Sequence, residues 1–274
     1  MSKKPTTIRT SRHDSNAMPG RKIPKTSARS YCIYGRSGTG KTTLAGSFPT
    51  PILYLDIRDR GTDSIIDVKG VEIRQLDTFA DFEDMYWWLK KNPDEYETVV
   101  VDTVTQLQQM LLRDIALDKN KDPSKAGDWG SMTKKDWGEV TGAMKEVLTN
   151  YRDLTDLGMN IVFLAQDRVF GGEDDDADRS GGMIVPEVGP AVTQSIAKAL
   201  NAAVSFIGNT FLREKKVEKE VRGKKSVSKV TEYCLRIGPN AVYATKIRKP
   251  KGAQPPSYIV DPSYKDIIAI IRGE

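Results

Sequence analysis

Short uninterrupted apolar runs alternate along the first 165 residues with segments whose apolar residues recur every three or four positions. Runs of the first kind suit strands that are buried on both faces of a parallel sheet. They occur at 31–34, 52–55, 98–101 and 160–165. Segments of the second kind have helical spacing, and they occur at 78–91, 105–117 and 137–157. This alternation predicts an α/β fold with a mostly parallel central sheet flanked by helices.

The pattern changes after residue 166. Residues 167–190 predict a long loop, and residues 191–201 predict a helix. Further strands are expected at 204–207, 230–237 and 241–247, with a charged hairpin at 213–229 and a closing helix around 267–271. We therefore expect C-terminal antiparallel strands to extend the parallel core.

The chain has 274 residues, a length that suits one large α/β domain. No apolar run approaches the roughly 20 residues that span a bilayer, so no membrane contact is expected. Cys32 and Cys234 both lie in apolar strand-like runs, which predicts buried thiols rather than a disulfide. These features together indicate a cytoplasmic protein.

The net charge of +5 is concentrated at the N-terminus. Residues 1–29 contain eight Lys or Arg residues against Asp14 alone, a charge of +7 that leaves −2 for the rest of the chain. We expect residues 1–29 to be a basic, disordered arm and residues 30–274 to be the folded domain. Such an arm either contacts a polyanion such as nucleic acid or is a solvated tail without a specific role.

A glycine-rich stretch stands between the first predicted strand and a helix that opens at Lys41 and ends before Pro49. Its pattern predicts a loop whose backbone N–H groups surround phosphates. Lys41 is then expected to reach the β- and γ-phosphates, and the Thr42 hydroxyl to ligate Mg²⁺. The predicted nucleotide-binding residues are Gly35, Arg36, Ser37, Gly38, Thr39, Gly40, Lys41, Thr42 and Thr43. ATP with Mg²⁺ is the expected ligand, although no adenine contact is readable from the sequence.

Polar side chains also end two later strands. Asp102 follows the run at 98–101, where a carboxylate beside the phosphate loop would hold the magnesium shell. Gln166 follows the run at 160–165, where an amide could sense the γ-phosphate and signal to the next segment. The alternative for each is an ordinary residue at a strand end.

In these motifs the chain resembles the phage-encoded RecA-like P-loop ATPases, a group described as phage nucleotide-binding proteins and associated with single-strand annealing and recombination. The residues that carry the resemblance are Gly35–Thr43, Leu55-Asp56, Val99–Thr103 and Phe163–Gln166. The resemblance covers roughly residues 28–272. It implies a RecA-like core, ATP hydrolysis at subunit boundaries, and rings or filaments on single-stranded DNA in the bacterial host cytoplasm. It also implies work beside a phage single-strand-binding protein.

Two positions test this resemblance. RecA-like proteins carry a catalytic Glu two residues beyond the Asp that ends the second strand, and here Arg58 occupies that place. Arginine cannot accept a proton from water, so Asp59 is our candidate for the base, with slow hydrolysis as the alternative. Lys246 and Arg248 match the two cations that such filaments place against the neighbouring subunit's nucleotide. The alternative for these two is an exposed basic strand end.

The resemblance also implies two DNA-facing loops, at about 118–136 and 167–190. The first holds Lys125, Trp129, Lys134 and Lys135, with Trp137 expected in the core of the following helix, and the second holds Arg168 and Phe170. These side chains could combine phosphate contacts with base stacking. The acidic run at 173–178 would instead repel DNA, and is a solvated tip or a partner contact. The hairpin at 213–229, with a charge of +5, is a second candidate for a DNA or subunit contact, or else a solubilising edge.

Three functions remain open on the sequence. The leading hypothesis is an ATP-dependent recombination protein that binds single-stranded DNA. A second is a scaffold whose bound nucleotide sets only its oligomeric state, which Arg58 favours. A third is a helicase loader or motor of the AAA+ type, in which a Glu usually follows the residue equivalent to Asp102, whereas here Thr103 follows it.

Overall fold

The computed structural model describes most of the chain beyond its basic arm. The described residues are 28–58, 61–119, 132–171, 187–221, 224–248 and 254–274. Several sequence predictions lie outside them. These are the arm over residues 1–27, the candidate base Asp59, the loop residues Lys125 and Trp129, and the acidic run at 173–178.

Within the described residues, one sheet of nine strands forms the centre of the molecule. Its first five strands are β1 (Ser30–Tyr34), β2 (Ile52–Asp56), β3 (Val71–Gln75), β4 (Thr98–Asp102) and β5 (Asn160–Ala165). All the pairings among these strands are parallel, in the order β1-β5-β4-β2-β3. Strand β5 therefore separates the strand that precedes the glycine-rich loop from the strand that ends in Asp102.

The other side of β1 carries the antiparallel extension. Two short strands, β6 (Asp167–Phe170) and β7 (Glu187–Pro190), pair separately as a ribbon. Four further strands complete the main sheet: β8 (Phe206–Val221), β9 (Lys224–Arg236), β10 (Lys246–Ile247) and β11 (Tyr258–Val260). Strand β8 is parallel to β1, whereas β9 and β10 are antiparallel to β8, and β11 is antiparallel to β9.

Helices cover both faces of the sheet. Successive strand residues point to opposite faces, so a strand that is apolar throughout must be buried on both sides. On β4, Val99 and Val101 join one hydrophobic cluster and Val100 joins the other. The described helices are α1 (Lys41–Ala45), α2 (Phe79–Lys91), α3 (Val104–Asp118), α4 (Lys134–Asp153), α5 (Gln194–Ala203) and α6 (Tyr264–Arg272), and a short 3-10 helix (Leu154–Leu157) follows α4. Helices α2 to α5 cover the first face, and α1 and α6 cover the second.

The fold class predicted from the sequence is confirmed. The chain is an α/β protein with a mostly parallel sheet flanked by helices and extended by C-terminal antiparallel strands. Among the described helices, none combines the length and the apolar character needed to cross a membrane. Both cysteines are buried free thiols, as predicted, and burial raises the pKa of Cys32 to about 12.

Some boundaries differ from the prediction. A loop was expected at 167–190, but its first four residues form β6 and its last four form β7. These two strands pair with each other. Of the strand expected at 241–247, only Lys246–Ile247 pairs in the sheet. Trp137 is 37% exposed rather than in the core, because it lies in the first turn of α4 beside the buried Asp136, which caps that helix.

Candidate nucleotide site

The carboxyl ends of the parallel strands meet at one edge of the sheet. In register, Tyr34 lies beside Ala165, and Asp56 lies beside Asp102. The chain leaves β1 directly into the glycine-rich segment, and Gly35 N–H donates to the Ala165 carbonyl at 3.2 Å. The fold thus brings the glycine-rich segment and the strand-end carboxylates together, as the sequence predicts.

The glycine-rich segment Gly35–Thr42, called the phosphate loop below, needs its glycines for two reasons. A Cβ on Gly35 would lie 2.4 Å from both the carbonyl and the hydroxyl oxygen of Thr210, so that space is already filled. Gly38 and Gly40 have φ angles of 76° and 87°, which L-residues with side chains rarely adopt. These conformations turn the chain from β1 into α1.

Lys41, the first residue of α1, lies against the inside of the loop. Its ammonium donates hydrogen bonds to the carbonyls of Gly35 at 2.8 Å and Arg36 at 2.9 Å. The positive charge is therefore held beside the loop, where the sequence places the β- and γ-phosphates.

Thr42 and Asp102 come together across the sheet edge. The Thr42 hydroxyl lies 3.5 Å from Asp102 Oδ2, and the buried hydroxyl of Tyr54 donates to the same oxygen. Burial, followed by the Asp102 charge, raises the pKa of Tyr54 far above its ordinary value, so this hydroxyl stays protonated at neutral pH. Asp102 is only 3% exposed, and its carboxylate is oriented by two hydroxyl groups.

Asp56 ends the neighbouring strand and is also buried, at 4% exposure. The two strand ends are joined by the backbone, since Ile57 N–H donates to the Asp102 carbonyl at 2.7 Å. Arg58 follows with an exposed side chain and a φ of 59°, so its side chain does not join the buried carboxylates. Asp59 lies outside the described residues, and its role as base stays a prediction.

A cavity of about 630 Å³ opens over the phosphate loop. Lys41, Thr42 and Asp102 line it, and so do Tyr233, Asp261 and Pro262. The Thr42 hydroxyl and the Asp102 carboxylate are hard oxygen donors of the kind that Mg²⁺ prefers. The described residues contain no cluster of three metal-ligating side chains. The Thr42 and Asp102 oxygens fit a magnesium ion that would be held by them together with nucleotide phosphates and water.

Gln166 lies at the same edge, between β5 and the β6–β7 ribbon. Its N–H donates to the Thr105 hydroxyl at 3.2 Å, and its carbonyl accepts from Ala191 N–H at 2.7 Å. The start of β6 and the end of β7, which form one end of the ribbon, are therefore both tied to this one residue. Phe170 is only 5% exposed and packs in the core, which contradicts its predicted availability for base stacking, whereas Arg168 is exposed.

The predicted pair of cations lies elsewhere. Lys246 pairs with Ile207 on β8, and Arg248 N–H donates to the Ser205 carbonyl. Ile207 is level with Cys32 in the middle of β1, and Ser205 is level with Ser30 at its start, so both cations lie away from the end of β1 that leads into the phosphate loop. The structure therefore does not bring Lys246 and Arg248 to the nucleotide cavity of their own chain.

Lys246 also has a local role. Its ammonium donates to the carbonyls of Asn201 at 2.7 Å and Ala202 at 3.1 Å, in the last turn of α5. A lysine there satisfies carbonyls that have no partner within the helix. Burial, followed by the Arg248 charge, lowers the pKa of Lys246. Arg248 is exposed.

The phosphate loop lies between β1 and α1, and Asp102 ends a strand two places away in the sheet. This arrangement defines a P-loop nucleoside triphosphatase. A family model described as an AAA domain (AAA_24) matches residues 27–249, so the chain belongs to this family of AAA-type ATPase domains. In this chain Thr103 follows Asp102 and caps α3 by accepting from Gln106 N–H. No curated protein matches the chain.

Several residues of the site were not predicted from the sequence. Four residues border the phosphate loop, its cavity or the Asp102 carboxylate but belong to no recognisable local motif: Tyr54, Thr210, Tyr233 and Asp261. A polar Thr210 in an apolar strand and a strand-end Asp261 before Pro262 were the signals available. Neither signal shows which residue of the phosphate loop lies next to Thr210 or Asp261, because that depends on how the strands pair.

Proposed function

We propose that this chain is an ATP- and Mg²⁺-dependent ATPase that binds single-stranded DNA and acts in recombination or strand annealing of phage origin. The observation that carries the nucleotide part is the approach of the Thr42 hydroxyl to the Asp102 carboxylate, at 3.5 Å, beside Lys41. The DNA and recombination parts rest on exposed side chains and on the resemblance stated above.

Each group at the loop has a distinct task in this proposal. The loop N–H groups bind the phosphate oxygens, and the Lys41 ammonium neutralises charge on the β- and γ-phosphates. Thr42 and Asp102 hold the metal, with Tyr54 fixing the carboxylate. When bound, Mg²⁺ would supply positive charge that neutralises the negative charge developing on the phosphates as the terminal phosphorus–oxygen bond breaks.

Gln166 supports coupling between the nucleotide and a second ligand. It lies at the edge of the sheet that carries the phosphate loop, and its backbone is tied to the start of β6 and the end of β7. In this proposal the Gln166 side chain responds to the γ-phosphate, and a resulting shift of its backbone moves the ribbon. Exposed Arg168 on β6 is a candidate phosphate contact.

The first turn of α4 supports a nucleic-acid ligand. Lys134, Lys135 and Trp137 are all exposed there. The two lysines end the segment that the resemblance marks as a DNA loop, and Trp137 follows it. Two ammonium groups beside an exposed indole combine the backbone attraction and the stacking surface that single strands require. This combination favours single-stranded DNA over a small-molecule partner.

Replacement of Trp137 by Ala tests the DNA part. We expect oligo-dT affinity to fall roughly tenfold, since base stacking on an aromatic side chain contributes about 1–3 kcal/mol. Trp87→Ala is the matched control, because Trp87 is 53% exposed on α2 and has no assigned role. Equal losses in the two variants, measured by fluorescence anisotropy with ATP and Mg²⁺, would reject this contact.

Assembly with ATP at subunit boundaries is tested by Arg248→Ala. Arg248 is the cleaner choice of the two cations, because Lys246 also caps α5. The variant should bind ATP normally but lose stimulation of phosphate release by single-stranded DNA. Retained stimulation would mean that Arg248 does not act on a neighbouring nucleotide.

Electron microscopy with a slowly hydrolysed ATP analogue would distinguish a ring from a filament, and co-sedimentation would test a phage single-strand-binding protein as partner.

Two other functions are favoured by particular observations. A nucleotide-gated scaffold with little hydrolysis is favoured by Arg58, which leaves the expected place of the base without a carboxylate. A helicase loader is favoured by the match to an AAA domain. A phosphate-release assay with and without single-stranded DNA distinguishes a scaffold, which would hydrolyse little ATP, from the proposed ATPase. A helicase-loading assay distinguishes a helicase loader from a recombination protein.

A further inference from the structure

We infer that Tyr233 and Asp261 form the base-binding end of the nucleotide cavity and select adenine. The Tyr233 ring stacks on the base, and the Asp261 carboxylate accepts a hydrogen bond from the exocyclic amino group. This inference rests on the proposed function, since it assigns the nucleoside part of the site whose phosphate part is described above.

Tyr233 lies on β9 but packs against the phosphate loop. Its ring carbon Cδ1 is 3.2 Å from the point where a Cβ on Gly40 would lie. The side chain is nevertheless 46% exposed, so the loop covers only part of the ring. A large aromatic surface therefore borders the cavity next to the phosphates, as stacking on a nucleotide base requires.

Asp261 is fixed to Tyr233 by the backbone. Its N–H donates to the Tyr233 carbonyl at 2.7 Å, so a displacement of one residue displaces the other. Its φ is 47°, in the left-handed region that non-glycine residues adopt at a cost. The following segment is held just beyond the end of α1, where Tyr264 N–H donates to the Ser47 hydroxyl at 2.9 Å. Asp261 is thus held in one place relative to the phosphate loop.

The chemistry of this end of the cavity favours adenine. Tyr233, Asp261 and Pro262 line the same cavity as Lys41 and Thr42. We place the triphosphate at Lys41 and Thr42 and the base against Tyr233 and Asp261. A carboxylate only accepts hydrogen bonds, and the amino group of adenine donates them. The carbonyl oxygen that hypoxanthine presents at the same ring position would face the carboxylate and be repelled.

Dissociation constants for ATP, ITP and inorganic tripolyphosphate, each with Mg²⁺, test the inference. Tyr233→Ala should weaken ATP binding about tenfold through lost stacking and leave tripolyphosphate binding unchanged. Tyr233→Phe keeps the ring and should retain ATP affinity. Tyr258→Ala is the matched control, because Tyr258 is 37% exposed on the adjacent β11 and does not border the cavity.

Asp261→Asn tests the selection itself. Asparagine tolerates the left-handed backbone, and its amide can donate to the hypoxanthine carbonyl as well as accept. We expect the preference for ATP over ITP to fall about tenfold, the effect of losing one hydrogen bond to a charged group.

Three results would overturn the inference. One is an equal loss of ATP and tripolyphosphate binding in Tyr233→Ala, which would mean that the ring supports the loop. Another is an unchanged ATP-to-ITP ratio in Asp261→Asn. The third is tighter binding of GTP than of ATP by the unmodified chain. Failure of the proposed function is a separate result, in which Lys41→Ala retains the binding of ATP and of tripolyphosphate alike.

Discussion

The hydroxyl groups of Thr39 and Thr210 lie 2.7 Å apart and join the phosphate loop to strand β8. Both residues are buried, at 4% and 2% exposure, so water does not compete for this hydrogen bond. Thr210 also hydrogen-bonds to the Tyr34 carbonyl at 3.3 Å, immediately before the loop. The loop is therefore held from the side by a residue about 170 positions later in the chain.

Replacement of Thr210 by Val keeps the shape and removes the hydroxyl. We expect the free energy of unfolding to fall by about 1–2 kcal/mol, because a buried partner loses its hydrogen bond, and Mg²⁺-ATP affinity to fall with it. Chemical denaturation and calorimetric titration would measure both. Thr149→Val is the control, since that hydroxyl donates to a carbonyl within α4, remote from the loop, at 2.8 Å. Unchanged ATP affinity in Thr210→Val would show that the loop keeps its conformation without the link.

Gly35 and Gly142 make a contrasting pair. Gly35→Ala would place a Cβ 2.4 Å from the Thr210 carbonyl oxygen, which belongs to a central strand. We expect this variant to lose nucleotide binding and about 1–3 kcal/mol of stability through overpacking. Gly142 is exposed within α4, and a Cβ there meets nothing within 4 Å.

Gly142→Ala should accordingly raise the free energy of unfolding by about 0.5–1 kcal/mol, because alanine loses less backbone entropy in a helix. Its ATP affinity should not change. Thermal unfolding of the two variants side by side measures both effects. A Gly35→Ala variant as stable as the unmodified chain would contradict the crowding described at Thr210.

Strands buried on both faces were predictable to within about a residue. The runs at 52–55, 98–101 and 160–165 read as continuous apolar segments because helices cover both sides of β2, β4 and β5. Edge strands carry no such signal. Val71–Gln75 at the edge of the sheet is half-exposed and polar at alternate positions, and the three residues of β11 are too few to show a pattern.

The hydroxyl of Tyr54 leads to a prediction about the metal. Tyr54→Phe removes the hydrogen bond to Asp102 Oδ2 and leaves the ring in the core. We expect ATP affinity in the presence of Mg²⁺ to fall severalfold, because the carboxylate loses the group that orients it. Affinity in the presence of a chelator should stay the same. An equal loss under both conditions would assign the hydroxyl to the fold rather than to the metal site.

The capping box of α6 predicts a dependence of stability on pH. Hydrogen bonds from the Ser263 hydroxyl and N–H lower the pKa of Asp266 below its ordinary value of 3.8. The stabilisation is therefore fully present above pH 3.8 and is lost as the pH falls through the lower folded value. Asp266→Asn should cost about 0.5–1 kcal/mol at pH 7, at the low end of capping effects because Asp266 is exposed.

Urea denaturation of the unmodified chain and Asp266→Asn, at pH 7 and near pH 3, measures this difference. We expect the two curves to converge as the pH falls. A gap of the same size at both pH values would show that the helix is stabilised by something other than the ionised carboxylate.

The candidate site was predictable only where its residues are contiguous. The phosphate loop forms one local motif, and Asp102 and Gln166 were found because parallel strands end at a common edge. The residues that support them, such as Tyr54 and Thr210, are specified by the sheet register and by side-chain packing across the core. Such contacts have no periodicity or spacing in the sequence, so structure was needed to find them.

Binding of Mg²⁺-ATP by a Lys41→Ala variant tests the central claim most directly. The Lys41 ammonium lies against the loop carbonyls of Gly35 and Arg36, and in this account it neutralises the β- and γ-phosphates. Isothermal titration calorimetry should show at least a tenfold loss of ATP affinity, with thermal stability in the absence of nucleotide close to that of the unmodified chain. An unchanged dissociation constant for ATP would contradict the assignment of this loop as the nucleotide site.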